Sequence, residues 1–279
     1  WEVHETATID NGPLAGQALA DALRTYGHDL IGTHNTLADG LPLLAKLLDA
    51  GAWLSVQVHP DDAQASELEG DLRGKTEAWI VLAAEPDAKL VIGVQPGTSR
   101  DTMAQAIRED RLEPLLVYAD VQAGDVLFIP ANTVHAVGPG ILLYEIQQCS
   151  DMTYRLYDWG RMGLDGKPRT LHIDKGVQVS NVASLPTITH IASEGETVDV
   201  VTCPYFSTVL HRMNGTLRNI RTNGTFHALT CVQGEVRLEG ANGFVLETGQ
   251  SAFIPAALPD YVLSGHGELL CSYQSDLSR

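Results

Sequence analysis

The sequence predicts a mainly β protein made of two copies of one β-barrel unit, with a few helices packed on its N-terminal part. Two observations carry this. Short, β-rich apolar segments bounded by turn residues recur at 53–59, 77–82, 90–94, 126–130 and 141–147. A turn-and-strand pattern also occurs twice. Gly124-Asp-Val-Leu-Phe-Ile-Pro130 is followed, after four residues, by His135, and Gly249-Gln-Ser-Ala-Phe-Ile-Pro255 is followed at the same spacing by Asp260. Each copy sets a Gly-polar turn before an apolar strand that stops at proline, as in a repeated structural unit.

In chain order, the strand-like Trp1-Glu2-Val3 start, with Trp rather than Met first, suggests a beginning that was trimmed or is disordered. Residues 14–26 place Ala15, Leu19, Leu23 and Tyr26 on one helical face, and Gly27 is positioned to end that helix. Residues 41–50 read as a second helix, with Pro42 in the first turn and Gly51 after it. A third begins near Thr98, with Asp101 in the place of a capping-box acid. Pro60 and Pro130 keep the neighbouring segments from continuing as helix. Polar residues thicken over 180–197, which reads as a connector, and from Val198 onward the chain is again strand-like. The expected organisation is a metal-binding catalytic domain with helical segments over 1–180 and a degenerate barrel without metal ligands over 181–279.

At 279 residues the chain is long enough for about two domains of ordinary size. A hydrophobic content of 44% supports real cores, and 19% charged residues argues against disorder. The formal charge of −17 makes nucleic acid or an anionic membrane a poor partner, and an anionic substrate must be held by a few local cations. No apolar stretch is long enough to span a bilayer, and no charged-then-apolar leader opens the chain. Cys149, Cys203, Cys231 and Cys271 show no C-x-x-C spacing and read as buried reduced thiols. A soluble cytoplasmic protein is expected.

The chemistry concentrates in a few residues. In a strand, residues two apart share a face, so Gln57 and His59 project together, and so do Lys75 and Glu77. If those strands are neighbours, His59 and Glu77 can share a cation, with His135 closing the site from a later hairpin. Such a nitrogen and oxygen set with few protein ligands is the pattern of catalytic rather than structural zinc. One of 10 histidines means little alone, and a buried polar network without metal accounts for the same residues. Lys75 is either a solvated lysine after the Gly74 turn or an ammonium beside the metal that meets a phosphate or oxyanion. Arg155 is either a surface arginine paired to Asp151 or Asp158, or a guanidinium oriented by Asp151 toward an anionic substrate. The second copy has Asp260 where His135 stands and no upstream Gln-x-His pair, so its barrel reads as structural.

The Gly-x5-Pro-x4-His spacing resembles the second conserved motif of the cupin superfamily, which makes the expected units cupin-like jelly-roll barrels. Leu54-Ser-Val-Gln-Val-His-Pro-Asp-Asp62, Gly74-Lys-Thr-Glu-Ala-Trp79, Gly124 through His135 and Asp151-Met-Thr-Tyr-Arg155 resemble, in order, the type I phosphomannose isomerases. The likeness is closest to the shorter bacterial members and runs from Trp1 through the second barrel, strongest between 53 and 175. It implies one zinc ion per chain held by Gln57, His59, Glu77 and His135, an active-site arginine at Arg155 and a conserved lysine at Lys75. The implied substrate is a sugar phosphate, and the implied reaction interconverts mannose 6-phosphate and fructose 6-phosphate through a cis-enediol(ate). The family's usual extension ahead of the Trp-Glu-Val strand is missing, and the second barrel is divergent. The base is open among Lys75 with a lowered pKa, a carboxylate such as Asp151, and a hydroxide held by the metal. Rival functions are an iron oxygenase using His59, Glu77 and His135, a non-catalytic sugar-phosphate binder, and a purely structural double barrel. Gln57, Lys75 and Arg155 suit an anionic sugar and have no necessary role in oxygen activation.

Overall fold

The structure is a computed structural model that describes residues 1–163, 166–240 and 243–275. Two helices come first, α1 (Leu19–Tyr26) and α2 (His28–Ile31), followed by β1 (Leu43–Ala50), β2 (Val56–Val58) and α3 (Asp62–Glu69). Then come β3 (Glu77–Ala84), β4 (Lys89–Val94), α4 (Arg100–Arg108), β5 (Leu116–Asp120) and β6 (Asp125–Ile129). Next are β7 (Ala136–Val137), β8 (Ile141–Gln148), β9 (Tyr154–Tyr157), α5 (Ile173–Val179) and β10 (Ile188–His190). The last stretch holds β11 (Thr197–Thr202), β12 (Phe206–Asn214), β13 (Arg218–Arg221), β14 (His227–Leu238), β15 (Phe244–Glu247), β16 (Ser251–Ile254) and β17 (Asp260–Gln274). The chain is mainly β, as the turn-bounded segments predict.

Two compact units result, and neither is one continuous stretch. A central unit comprises residues 48–145 and 150–190, and a terminal unit comprises 1–47, 146–149 and 191–279. A single cut at residue 180 therefore does not describe this division. Backbone hydrogen bonds tie α2 to the turn between β16 and β17: Ala256 N donates to Leu30 O at 2.8 Å and Ala257 N to Asp29 O at 2.8 Å.

The strands form a five-stranded sheet in the order β1-β8-β3-β6-β10, a three-stranded sheet β5-β4-β7 and the pair β2-β9. In the central unit, one core gathers Val56, Val58, Met103, Leu112 and Leu156. Another gathers Trp79, Leu90, Leu127, Ile141 and Leu143. In the terminal unit a seven-stranded sheet runs β11-β12-β17-β14-β15, with β13 on β17 and β16 on β14. Its core holds Met213, Leu229, Cys231, Leu263 and Leu269. The repeat is visible in the backbone: Gly124 and Gly249 precede β6 and β16 with φ of 89° and 88°, a left-handed turn that glycine adopts without steric cost.

Several expectations need correction. Residues 41–50 are not helix; the run is β1, buried along most of its length, so its apolar groups serve both faces of a strand. A short apolar run with this composition fits either period, and pairing in the sheet decides it. The first helix is shorter than 14–26, because Gly16 takes φ +84° and breaks the chain before α1. Leu19, Ala22 and Leu23 are its buried face, while Tyr26 is exposed. The cap of α4 is Ser99, which accepts from Thr102 N, rather than Thr98 with Asp101. The 180–197 connector contains β10, paired antiparallel to β6. A further helix, α3, opens with a capping box of Asp61 and Gln64, a spacing present in the sequence. The four cysteines form no disulfide, and Cys203, Cys231 and Cys271 are buried.

His211 and His227 lie on inward positions of β12 and β14, in the series Val209-His211-Met213 and His227-Leu229-Cys231, and both are buried. Burial pushes each down to about 4, helped at His211 by Arg218 and at His227 by His211. The unfolded rings titrate near 6.5, so as pH falls from there to about 4 the unfolded chain binds protons that the folded rings refuse. Their contribution to stability is complete above this window and is lost as pH drops through it. We expect the urea midpoint to fall between pH 7 and pH 5, and His211→Leu to flatten that fall; an unchanged pH dependence in the variant would remove this ring as its source.

Candidate metal centre

The site is assembled by strand alternation. Val56 and Val58 are fully buried in the core, so β2 turns Gln57 and the following His59 to its other face. The backbones of Gln57 and His135 exchange N–H···O hydrogen bonds, both at 3.0 Å, which brings the 130–135 hairpin alongside β2. Glu77 opens β3 opposite Ile129 of β6. Gly74 lets the Lys75 segment close over the 60–61 backbone; a Cβ there would stand 2.5 Å from Pro60 O.

His59, Glu77 and His135 converge, with one ligand atom from each lying within 4.8 Å of the others. His135 Nε2 is 3.3 Å from Glu77 Oε1, and His59 Nε2 is 3.5 Å from Glu77 Oε2. All three side chains are buried. His59 Nδ1 is 2.8 Å from Met152 O and His135 Nδ1 is 2.8 Å from Thr133 O. A carbonyl only accepts, so each Nδ1 carries the proton, and in the neutral ring Nε2 presents a lone pair to the carboxylate. Burial pushes His135 below the ordinary histidine range, against the pull of Glu77 and the Thr133 carbonyl. Neutral imidazole lone pairs facing a carboxylate repel unless a cation sits among them. His135 Nε2 and both Glu77 oxygens are buried without a well-formed hydrogen bond. Two imidazoles and a carboxylate, each imidazole fixed by a backbone carbonyl behind it, fit a divalent metal of the zinc type.

Lys75 Nζ lies 3.1 Å from Glu77 Oε2, and both groups are buried. Burial works to strip the ammonium of its proton, but Glu77, Glu145 and Asp151 outweigh it and hold Lys75 above the ordinary lysine range. Glu145 is the residue that sequence reasoning missed. It is buried in β8, accepts a hydrogen bond from Trp79 Nε1 at 3.1 Å, and adds its charge at both Lys75 and His135. The available signal was a lone acid within the apolar run Ile141-Leu-Leu-Tyr-Glu-Ile146.

Arg155 stands opposite Gln57 in the β2-β9 register. Its NH1 donates to Thr170 O at 3.0 Å, its backbone N donates to His172 Nδ1 at 3.1 Å, and its Nε is buried without a partner. Asp151 does not orient it: Asp151 is exposed, and its charge acts at Lys75. Nor does Asp158 pair with it, since Asp158 accepts from Arg161 and, at 2.7 Å, from Arg169 Nε. Burial and the Arg169 and Arg161 guanidiniums lower the Arg155 pKa, with Asp158 pulling the other way. The Gln57 backbone is in place beside His135, and no described residue hydrogen-bonds its side-chain amide. In the terminal unit, Asp260 is exposed at the start of β17, paired with Arg221 in register, and meets no counterpart of this cluster among the described residues.

Fold and donor set together define a cupin with a buried triad able to hold a metal. A model of the phosphomannose isomerase type I catalytic domain matches residues 3–79, and one of the mannose-6-phosphate isomerase cupin domain matches residues 196–274. A mannose-6-phosphate isomerase of Streptococcus mutans is 33% identical over 97% of this chain and 85% of its own length. The crystal structure of the mannose 6-phosphate isomerase from Bacillus subtilis, 31% identical, superposes with a TM-score of 0.86 over 95% of this chain and 84% of that one. A zinc-bound mannose 6-phosphate isomerase at 20% identity shares the fold, with a TM-score of 0.73 over 93% of this chain and 86% of that one. The chain belongs to the type I mannose-6-phosphate isomerase family.

We expect His135→Ala to lose bound metal, measured by elemental analysis of the dialysed protein beside the parent. Retention of one tightly held ion per chain in that variant would remove His135 from the site.

Proposed function

We propose that this protein interconverts mannose 6-phosphate and fructose 6-phosphate through a cis-enediol(ate), with one zinc ion held by His59, Glu77 and His135 and completed by Gln57. The observation that carries it is the convergence of the two Nε2 atoms and the Glu77 carboxylate, with Lys75 on the same carboxylate. When bound, the ion supplies Lewis acidity at the sugar's carbonyl and hydroxyl oxygens. The remaining work falls to the chain. The reaction moves a proton between C1 and C2 while negative charge builds on oxygen. Lys75, kept as an ammonium by its acidic neighbours, meets that charge with a donor in a water-poor site. Arg155, tethered by Thr170 O and with its Nε unpartnered, binds the phosphate or an enediolate oxygen. The backbone carbonyls of Met152 and Thr133 keep both imidazoles in the ligating tautomer. Glu77 would serve both as a ligand to the ion and as the partner of Lys75, so one carboxylate would join the ammonium to the metal-binding triad.

An oxygenase needs the triad alone and leaves Lys75 and Arg155 without a task. A cytoplasmic setting is supported by a phosphorylated substrate and by four cysteines in no disulfide, and no helix of the described residues is long and apolar enough to cross a membrane.

A coupled isomerase assay on mannose 6-phosphate, before and after chelation, tests the proposal; activity that survives complete metal removal would sink it. We further expect Arg155→Ala to keep its metal while turnover falls by about 100-fold or more. Parent-like kinetics in that variant would return Arg155 to a structural tether of the 170–172 segment.

A further inference from the structure

The terminal unit has a cavity of about 660 Å³ in its own barrel, within the size range of small-molecule sites. Its deeper walls are His211, His227, Thr222 and Cys271, all buried, and Thr225 and Tyr273 also line it. The histidines occupy inward positions of β12 and β14 that the rest of each series fills with apolar side chains. An inward histidine in a barrel core is either fully hydrogen-bonded or it faces something that the barrel holds.

These rings are only partly engaged. His227 Nδ1 is 2.8 Å from Tyr261 OH, and His211 Nδ1 is a long 3.5 Å from Thr197 Oγ1. No described residue hydrogen-bonds the Nε2 of either ring. Thr225 Oγ1 is a buried hydroxyl with no hydrogen-bond partner. Unsatisfied polar atoms on one cavity wall are the condition in which a ligand's hydroxyls replace missing partners.

The lining also selects among ligands. A metal is disfavoured, because the group of three close histidine, cysteine or carboxylate ligands found among the described residues is His59, Glu77 and His135. An ion is disfavoured because the deep wall is uncharged. Both imidazoles are neutral near pH 7, and burial pushes the Cys271 thiol up to about 12. The charged lining groups, Asp199 and Arg221, are exposed and opposite in sign. An entering ion would lose hydration without finding a counter-charge. An apolar ligand would strand the imidazoles and hydroxyls. A compound with several hydroxyls and an apolar C–H face answers both demands, since Tyr273 and Val209 offer apolar surface to that face.

We propose that the terminal unit is a second binding site, taking a neutral, hydroxyl-rich molecule of monosaccharide size through His211, His227 and Thr225. It is independent of the metal centre and of the activity assigned to it.

The test is calorimetric titration of the full chain at neutral pH with D-mannose, D-fructose and sorbitol, each in the parent and in His135→Ala. Free sugar that enters the metal centre is thereby separated from sugar bound in the terminal unit. We expect at least one of the three to bind His135→Ala and the parent with the same affinity. We expect that binding to weaken at least tenfold in His211→Leu and in Thr225→Val, the latter an isosteric change at a half-buried position that keeps the barrel folded. Three results overturn the proposal. One is no saturable binding by any of the three up to about 100 mM, two decades above a millimolar site. Another is affinity unchanged in a folded Thr225→Val chain. The third is binding abolished by His135→Ala alone.

Discussion

A carboxylate sealed from water, with two imidazole lone pairs turned toward it, is stable only when a positive charge stands among them. Glu77 is in that position, and much of the central unit serves to create it. The β2 alternation, the Gln57–His135 backbone pairing and the glycine that lets Lys75 approach each deliver one group to the same point. Lys75 answers part of the demand from one side of the carboxylate. The other oxygen faces His135, where burial argues against a proton and leaves the charge to a metal. The affinity for a cation therefore belongs to the way the strands pack rather than to any one side chain.

The two barrels show how far one backbone plan can diverge in content. Gly124 and Gly249 make the same left-handed turn, and the strands after them both end at the isoleucine before proline. In the central unit the position after proline and four residues is a buried histidine; in the terminal unit it is an exposed aspartate. The terminal barrel has instead moved its histidines to β12 and β14, where burial keeps them neutral. Acidic and cationic groups crowd the first interior, and hydrogen-bonding groups without charge line the second.

Much of the site was legible in the sequence, because period-two alternation alone places Gln57 with His59 and Lys75 with Glu77. His135 was legible from the repeated spacing. The partners of Arg155 were not, since Thr170 O and His172 lie beyond a turn whose path no local pattern encodes. Glu145 was hidden for a different reason: an acid within an apolar strand reads as an exception until its neighbours Trp79 and Lys75 are known. In the fold, the apolar run of β1 fits a helix as well as a strand, and only pairing in the sheet decides between them. The grouping of residues 1–47 with 191–279 left no local trace at all, because it rests on backbone hydrogen bonds between distant segments.

That grouping has a consequence for how the molecule is made. The terminal unit includes residues 1–47 as well as 191–279, so during synthesis the early helices must wait for strands that leave the ribosome last. Closing so large a loop is slow, and until it closes the Asp29 and Leu30 carbonyls lack the Ala257 and Ala256 backbone N–H groups that bond to them. The central unit has no such delay, since all its residues have been made once residue 190 emerges. Nascent chains would thus pass through a stage in which the metal-binding half is complete while the other half is still exposed to proteases and chaperones.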